Sequence, residues 1–320
     1  MQRTTHVLGI LRRIEPVWFA VIVLYLVFGL ISPAMFKPNQ MFNILQVAAF
    51  LGTITIGQTI VILTGGIDLS VSGVVTLINI VFASLMNGQP EQTLPAILIC
   101  IILAIVVGFV NGICVSIVKI TPLIMTLAMD SILFGAALVY TGGAPHGLVT
   151  EGFAQIGQGS ILGFPMSAIV WLVIAVMMVI VTQKLNFGRR LYAVGANPKA
   201  ASLMGIHVGY VIIVSYILSS LMACFCSILL TAYINLPSLG IGRQYQFASV
   251  AAAVVGGASL TGGVGSIIGS IGGALFITEL NSFTNIIRVS PGVQFFLQGF
   301  IIAASVLLYR TIGDIRKAKS

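Results

Sequence analysis

Residues 94–118 read LPAILICIILAIVVGFVNGICVSIV, twenty-five positions without one acidic or basic side chain. As an α-helix this run would be roughly 38 Å long at 1.5 Å per residue, more than the roughly 30 Å hydrocarbon core of a bilayer. Runs of the same kind fill most of the 320-residue chain, which is 58% hydrophobic and only 7% charged, with a mean hydropathy of +1.12. A water-soluble fold covers itself with charge at about 25% of positions. This chain lacks that charge, so the bilayer is its solvent. The expected fold class is an all-α membrane protein, read as a single polytopic transmembrane domain over residues 1–320.

Ten candidate spans follow from hydropathy, at 17–36, 44–63, 71–86, 94–118, 122–141, 166–182, 210–234, 247–258, 264–283 and 293–309. The third and eighth are short and adjoin glycine-rich turns. The first is long enough to span and lacks a small-residue cleavage site, so it is not read as a removable signal peptide. The net charge of +8 is distributed as a topology signal rather than as a nucleic-acid surface. Arg3, Arg12 and Arg13 precede the first span, and Arg310, Arg316, Lys317 and Lys319 follow the last. Lys119, Lys184, Arg189, Arg190 and Lys199 fall in loops on the same side, whereas Lys37, Glu91, Glu151, Arg243 and Arg288 form a thin mixture on the other. The positive-inside rule then places both termini in the cytoplasm and requires an even number of spans. Cys100, Cys114, Cys224 and Cys226 all lie within apolar runs and read as buried filler, which argues against disulfides and metal ligation.

Two turns look alike: Gly65-Gly66-Ile67-Asp68-Leu69-Ser70 after the second run, and Gly256-Gly257-Ala258-Ser259-Leu260-Thr261 after the eighth. Paired interruptions of this sort mark the pathway in many transporters, and chance likeness of glycine-rich turns is the competing reading. Asp68 or Ser70 is expected to cap the third span. Gly108 and Gly112, and Gly265, Gly269 and Gly273, recur at four-residue spacing, which brings helix backbones close within the chain or between subunits.

The stretch 185–209 carries a second pattern. Asn197 is suited to N-cap, Pro198 to the first helical position and Gly205 to the left-handed residue that ends a helix. The two-turn helix between them is too short to stand alone in water. Ala200, Ala201, Met204 and Ile206 would give it a small apolar surface flanked by Arg189 and Arg190. It is either a connector or a docking knob for a cytoplasmic partner. Within the spans, Asp130 and Glu279 are ionisable and must face a cavity or a partner, while Gln46, Gln58, Asn79, Asn111 and Asn281 can join helices by hydrogen bonds. Asp130, Glu279, Gln58, Asn79, Asn111 and Asn281 are the candidate pathway residues.

Catalysis finds no support. His6, His146 and His207 stand apart, no Gly-x-Ser-x-Gly elbow occurs, and no Gly-Lys pair offers a phosphate-binding loop. If ATP powers transport here, it is bound by another polypeptide.

Three segments taken together, 65–71, 188–198 and 256–263, resemble the permeases of ribose-type ABC importers in the same order along nearly the whole chain. The resemblance implies a bacterial inner-membrane subunit that pairs with a second permease copy or a paralogue, embedded in lipid and binding no nucleic acid. It further implies two ABC ATPase subunits that bind ATP and magnesium, with no cofactor in this chain, and an extracytoplasmic solute-binding protein that delivers a sugar. In that family the segment matching 195–206 contacts the ATPase, so Gly195, Asn197, Pro198, Ala201, Met204, Gly205 and Ile206 are the expected coupling residues. Ser72, Asp130, Phe134, Val264 and Arg288 depart from the residues the family usually carries, and they bear on which solute is moved. The alternative of a different class is a secondary transporter coupled to protons through Asp130 and Glu279.

Overall fold

The computed structural model describes residues 15–290, 292–294, 296, 299, 300 and 303. The run at 293–309, and the flanking arginines and lysines of both ends, lie largely or wholly outside the described residues. The helices are α1 (Pro16–Ile31), α2 (Pro38–Leu63), α3 (Val71–Met86), α4 (Thr93–Ser116), α5 (Pro122–Thr141), α6 (Glu151–Gln158), α7 (Met166–Gln183), α8 (Asn186–Ala196), α9 (Pro198–Leu203), α10 (Val208–Ile234), α11 (Arg243–Val255) and α12 (Ile267–Ile286). A two-residue β-hairpin pairs β1 (Ser160–Ile161) with β2 (Phe164–Pro165). Of these helices α2, α4, α5, α7, α10 and α12 are long and apolar enough to cross a membrane, and α1 and α3 are shorter apolar helices. The all-α membrane class is as expected, and among the described residues six helices are long and apolar enough to cross.

The differences at element ends have local causes. The first run breaks at Ser32, which adopts an extended conformation because Pro33 follows it, and a 3-10 turn over Pro33–Phe36 replaces the last helical turn. Pro38 then starts α2 six residues earlier than hydropathy suggested, since proline at the first position needs no N–H partner. α11 starts at Arg243 instead of 247, because Arg243 lines a cavity and Gln246 donates to the Leu69 carbonyl rather than facing lipid, and it ends at Val255 where Gly256 and Gly257 close it. Gly265 precedes α12 with φ of 145°, so the expected three-glycine face on one helix is reduced to Gly269 and Gly273. α6, α8 and the hairpin were not foreseen.

α2 and α10 occupy the centre, and α4, α5 and α7 carry exposed apolar faces. Glycine makes the central contact possible: a Cβ on Gly108 or Gly112 would lie 2.6 Å from the Cα of Ile217 or Ile213 on α10. Gly269 and Gly273 pack in the same way on Gly256 and Ala252. These spacings serve packing within the chain.

Two interrupted segments run in opposite senses. After α2 the chain turns at Gly65 (φ 82°) and doubles back as irregular chain beside α2, where the Gln58 amide donates to the Asp68 carbonyl at 2.8 Å and accepts its N–H at 3.2 Å. α3 therefore begins partway along the bundle, its Gly73 seated against Asp130, the ninth of the twenty residues of α5. From the far end of α10, residues 235–242 descend beside α3. Ser238 donates its N–H to Asn79 Oδ1 at 2.7 Å, and Gly242 donates to Thr76 Oγ1 at 3.2 Å. α11 starts there and ends at the Gly256–Gly257 turn. The N-termini of α3 and α11 thus meet partway along the bundle, and each helix runs away from that point toward the opposite end.

Candidate functional site

The two look-alike turns share one hydrogen-bond pattern. Gly65 and Gly257 each donate to the residue three back, Ile62 and Val254, and the next residues, Gly66 and Ala258, donate to Val61 and Ala253 five back. Both glycines have left-handed φ, 82° and 95°, which closes a helix at least cost with no Cβ. The structural match therefore pairs Gly65 with Gly257, one residue offset from the match of Gly65 with Gly256 read from sequence.

The end of α2 and the loop after α11 meet α8. Gly263 donates its N–H to the Leu63 carbonyl at 3.0 Å, and Gly195 sits so close to that carbonyl and to the Gly263 nitrogen that a side chain there would collide with both. Tyr192 donates to the Gly265 carbonyl at 2.8 Å, and Ser266 to Glu15 Oε1 at 2.9 Å, so the start of α1 lies at this same end of the bundle. Burial, with the Glu15 carboxylate second, raises the Tyr192 phenol above its ordinary pKa and keeps its donor in place.

Asn197 caps α9 as its sequence suggests, its Oδ1 accepting the Ala200 N–H at 3.1 Å; Pro198 follows at the first position, and Gly205 is left-handed at φ 80°. The surface of α9 differs from the expectation. Ala201 is 1% exposed and packs with Leu191, Val194 and Leu63 in a core cluster, and Ile206 is half-buried against it. A six-residue helix resting on the bundle must turn one side inward, and Ala201 and Ile206 are on that side. The outward side carries Leu203, 90% exposed, and Met204, 70% exposed. Leu203 is the residue that sequence reading missed; its place one residue before Met204, away from the buried Ala201, is the signal that could have found it. Arg189, hydrogen-bonded to Asn186 Oδ1, and Arg190 are exposed on α8.

The interior polar residues separate into groups. Asp68 is fully buried and does not cap α3; its Oδ1 accepts both the N–H of Ser70 at 3.0 Å and its hydroxyl at 2.5 Å, in a local turn. Ser70 takes the N-cap position of α3, but its hydroxyl is turned back to Asp68 and makes no cap bond either. Asn111 Nδ2 donates to Ser70 Oγ at 2.9 Å, so Gln58, Asp68 and Asn111 belong to one network. Asn79 stands apart, donating to Thr231 Oγ1 at 2.8 Å while it holds Ser238. Gln46 donates to the Gly157 carbonyl at 2.8 Å, and Asn281 is half-buried on α12.

Asp130 and Glu279 line different cavities. Glu279 is 5% exposed in an apolar cavity of about 260 Å³ between α1, α2 and α12, among Tyr25, Met41 and Leu275. Asp130 lines a polar cavity of about 190 Å³ with Ser72, Gly73, Thr76, Ser131, Phe134 and Arg243. Ser72, Asp130 and Phe134, three of the residues set apart by the resemblance, thus come together, and Arg243, read in the sequence as an external loop residue, joins them. The remaining two, Val264 and Arg288, lie elsewhere and are exposed.

Long apolar helices, two oppositely directed interrupted segments and a capped surface stub define a multi-pass inner-membrane permease subunit. Residues 40–306 match the family described as branched-chain amino acid transport system / permease component, and the chain belongs to that family. It is 37% identical over 97% of its length to the ribose import permease protein RbsC of Bacillus subtilis, 96% of which is covered. It is 33% identical to RbsC of Escherichia coli K12, with 90% of this chain and 91% of that protein covered. To the galactose/methyl galactoside import permease protein MglC of the same strain it is 32% identical, over 91% of this chain and 92% of the relative. No solved structure matches the chain.

Proposed function

We propose that this chain is the permease subunit of an ATP-binding-cassette importer that moves a sugar handed over by an extracytoplasmic binding protein. The relatives named for ribose and galactose import support the substrate class. One observation carries the mechanical part: Gly195 near the end of α8, two residues before the cap of α9, packs backbone to backbone on Leu63 at the end of α2 and on Gly263 in the loop that follows α11. An ATPase pressing on Leu203 and Met204 would push on both interrupted segments at once, without a flexible intermediary. Movement of those turns would tilt α3 and α11 about the point where their N-termini meet, giving alternating access. On this reading residues 1–320 form one membrane domain of ten spans with both ends cytoplasmic. Residues 185–209 are its coupling loop, a second permease completes the pathway, and ATP and magnesium sit in the partner ATPase.

The test is uptake into liposomes containing the purified permease, its ATPase and its binding protein. Transport is expected to require all three components and ATP, and to be unaffected by a protonophore. Uptake driven by a proton gradient in the permease alone would replace this reading with the proton-coupled one.

A further inference from the structure

The cavity beside α3 and α11 has a chemistry of its own. Arg243, the first residue of α11, is exposed, and its guanidinium carbon lies 5.1 Å above the centre of the Phe134 ring. Ser131 is exposed beside it, and the half-buried Asp130 carboxyl faces the Gly73 N–H, the Ser72 hydroxyl, the Gln246 amide and the Arg243 guanidinium. These groups stand midway along α5, between residues such as Ile132 and Leu127 that are exposed and apolar. A guanidinium and a carboxylate at such depth cost several kcal/mol if turned to hydrocarbon, so this face meets water or a polar solute.

We infer that Arg243, Phe134, Asp130 and Ser131 form a contact site for a neutral, hydroxyl-rich solute on the transport path. The inference rests on the importer reading above and adds where the solute touches this chain. A hydroxyl both donates and accepts, and the cavity offers both: five N–H donors on Arg243, carboxylate lone pairs on Asp130, and the exposed hydroxyl of Ser131. The opposite charges of Asp130 and Arg243 cancel, so an anion is repelled by one and a cation by the other. The Phe134 face attracts the guanidinium, whose carbon lies 5.1 Å from the ring centre. A volume of about 190 Å³ is below the roughly 300–1,000 Å³ of sites for drug-sized ligands, and suits a single sugar ring. A zwitterionic amino acid could also span the two charges. The neutral groups that already face Asp130, the Gly73 N–H, the Ser72 hydroxyl and the Gln246 amide, partly satisfy its charge and favour the sugar.

Two experiments decide this. In the first, Ser131→Cys is made in a Cys114→Ser background, the other three cysteines being buried. The full chain in liposomes is treated with a water-soluble, membrane-impermeant methanethiosulfonate. The thiol is expected to react, and to be slowed several-fold by added D-ribose or D-galactose but not by L-leucine. A thiol that does not react, or that neither sugar slows, overturns the site; slowing by leucine alone overturns the solute class. In the second, Arg243→Gln and Phe134→Leu are expected to raise the KM of sugar uptake about tenfold in the assembled importer, the scale of one lost charge-assisted hydrogen bond. Arg243→Lys should fall between them and wild type, and ATPase turnover should persist. An unchanged KM overturns the inference. If the wild-type assembly shows no ATP-dependent uptake, the importer reading fails, while the labelling experiment still judges the site because it needs no partner.

Discussion

Ala201 and Leu203 lie two residues apart on α9 and do opposite work. Ala201 is in the core cluster under the stub, whereas Leu203 is turned to solvent. Leu203→Asp is expected to leave folding intact and to abolish association with the ATPase, measured by co-purification and by ATP-driven uptake. Ala201→Asp is expected to lower the unfolding temperature of the permease itself, because it places an unpaired charge in apolar packing. If Leu203→Asp assembles and transports normally, the stub is only a connector. Asn79 is a second residue whose role is set by its neighbours. It bonds Thr231 and Ser238 together, so Asn79→Ala should cost about 1–3 kcal/mol by leaving buried groups unpaired. Thermal unfolding in detergent reads the loss, which should exceed that of an alanine change at the exposed Asn285.

At the scale of elements, α4 meets α10 through Gly108 and Gly112. Substituting Leu at Gly112 must push the helices apart or force the Ile213 region aside, and overpacking of this kind costs typically 1–3 kcal/mol. A clear drop in unfolding temperature is expected, with no change at Gly135 on α5, where a Cβ meets nothing within 4 Å. α3 and α11 are bound by sixteen and thirteen residues to lengths short of a full crossing. Their meeting point creates the depth at which Arg243 and Asp130 can be held by protein rather than lipid.

At the scale of the whole molecule, the two ionisable residues of the spans are separated into an apolar cavity and a polar one. Among the described residues, the linings of these two cavities have no residue in common. Glu279→Gln is therefore expected to leave ATP-driven uptake unchanged at every pH at which the assembly is stable. A pH profile altered by that substitution would return Glu279 to the transport mechanism.

Hydropathy alone determined that this chain lives in a bilayer as helices, because a backbone in hydrocarbon must satisfy its own hydrogen bonds and the apolar runs are long enough to do so. It also marked the ends of α3 and α5 to the residue, where proline, glycine and loop polarity coincide with the change of environment. The cap of α9 was legible for the same reason: Asn197, Pro198 and Gly205 act on their own near neighbours. α8 and α11's true start were not legible, since their polar residues look like loop until a neighbouring helix supplies partners. Which side of α9 faces out, that Gly65, Gly195 and Gly262 meet, and that Arg243 lies beside Phe134 and Asp130 were decided by tertiary structure alone. Each is a contact between residues tens to hundreds of positions apart, brought about by how helices pack, and no local pattern encodes that.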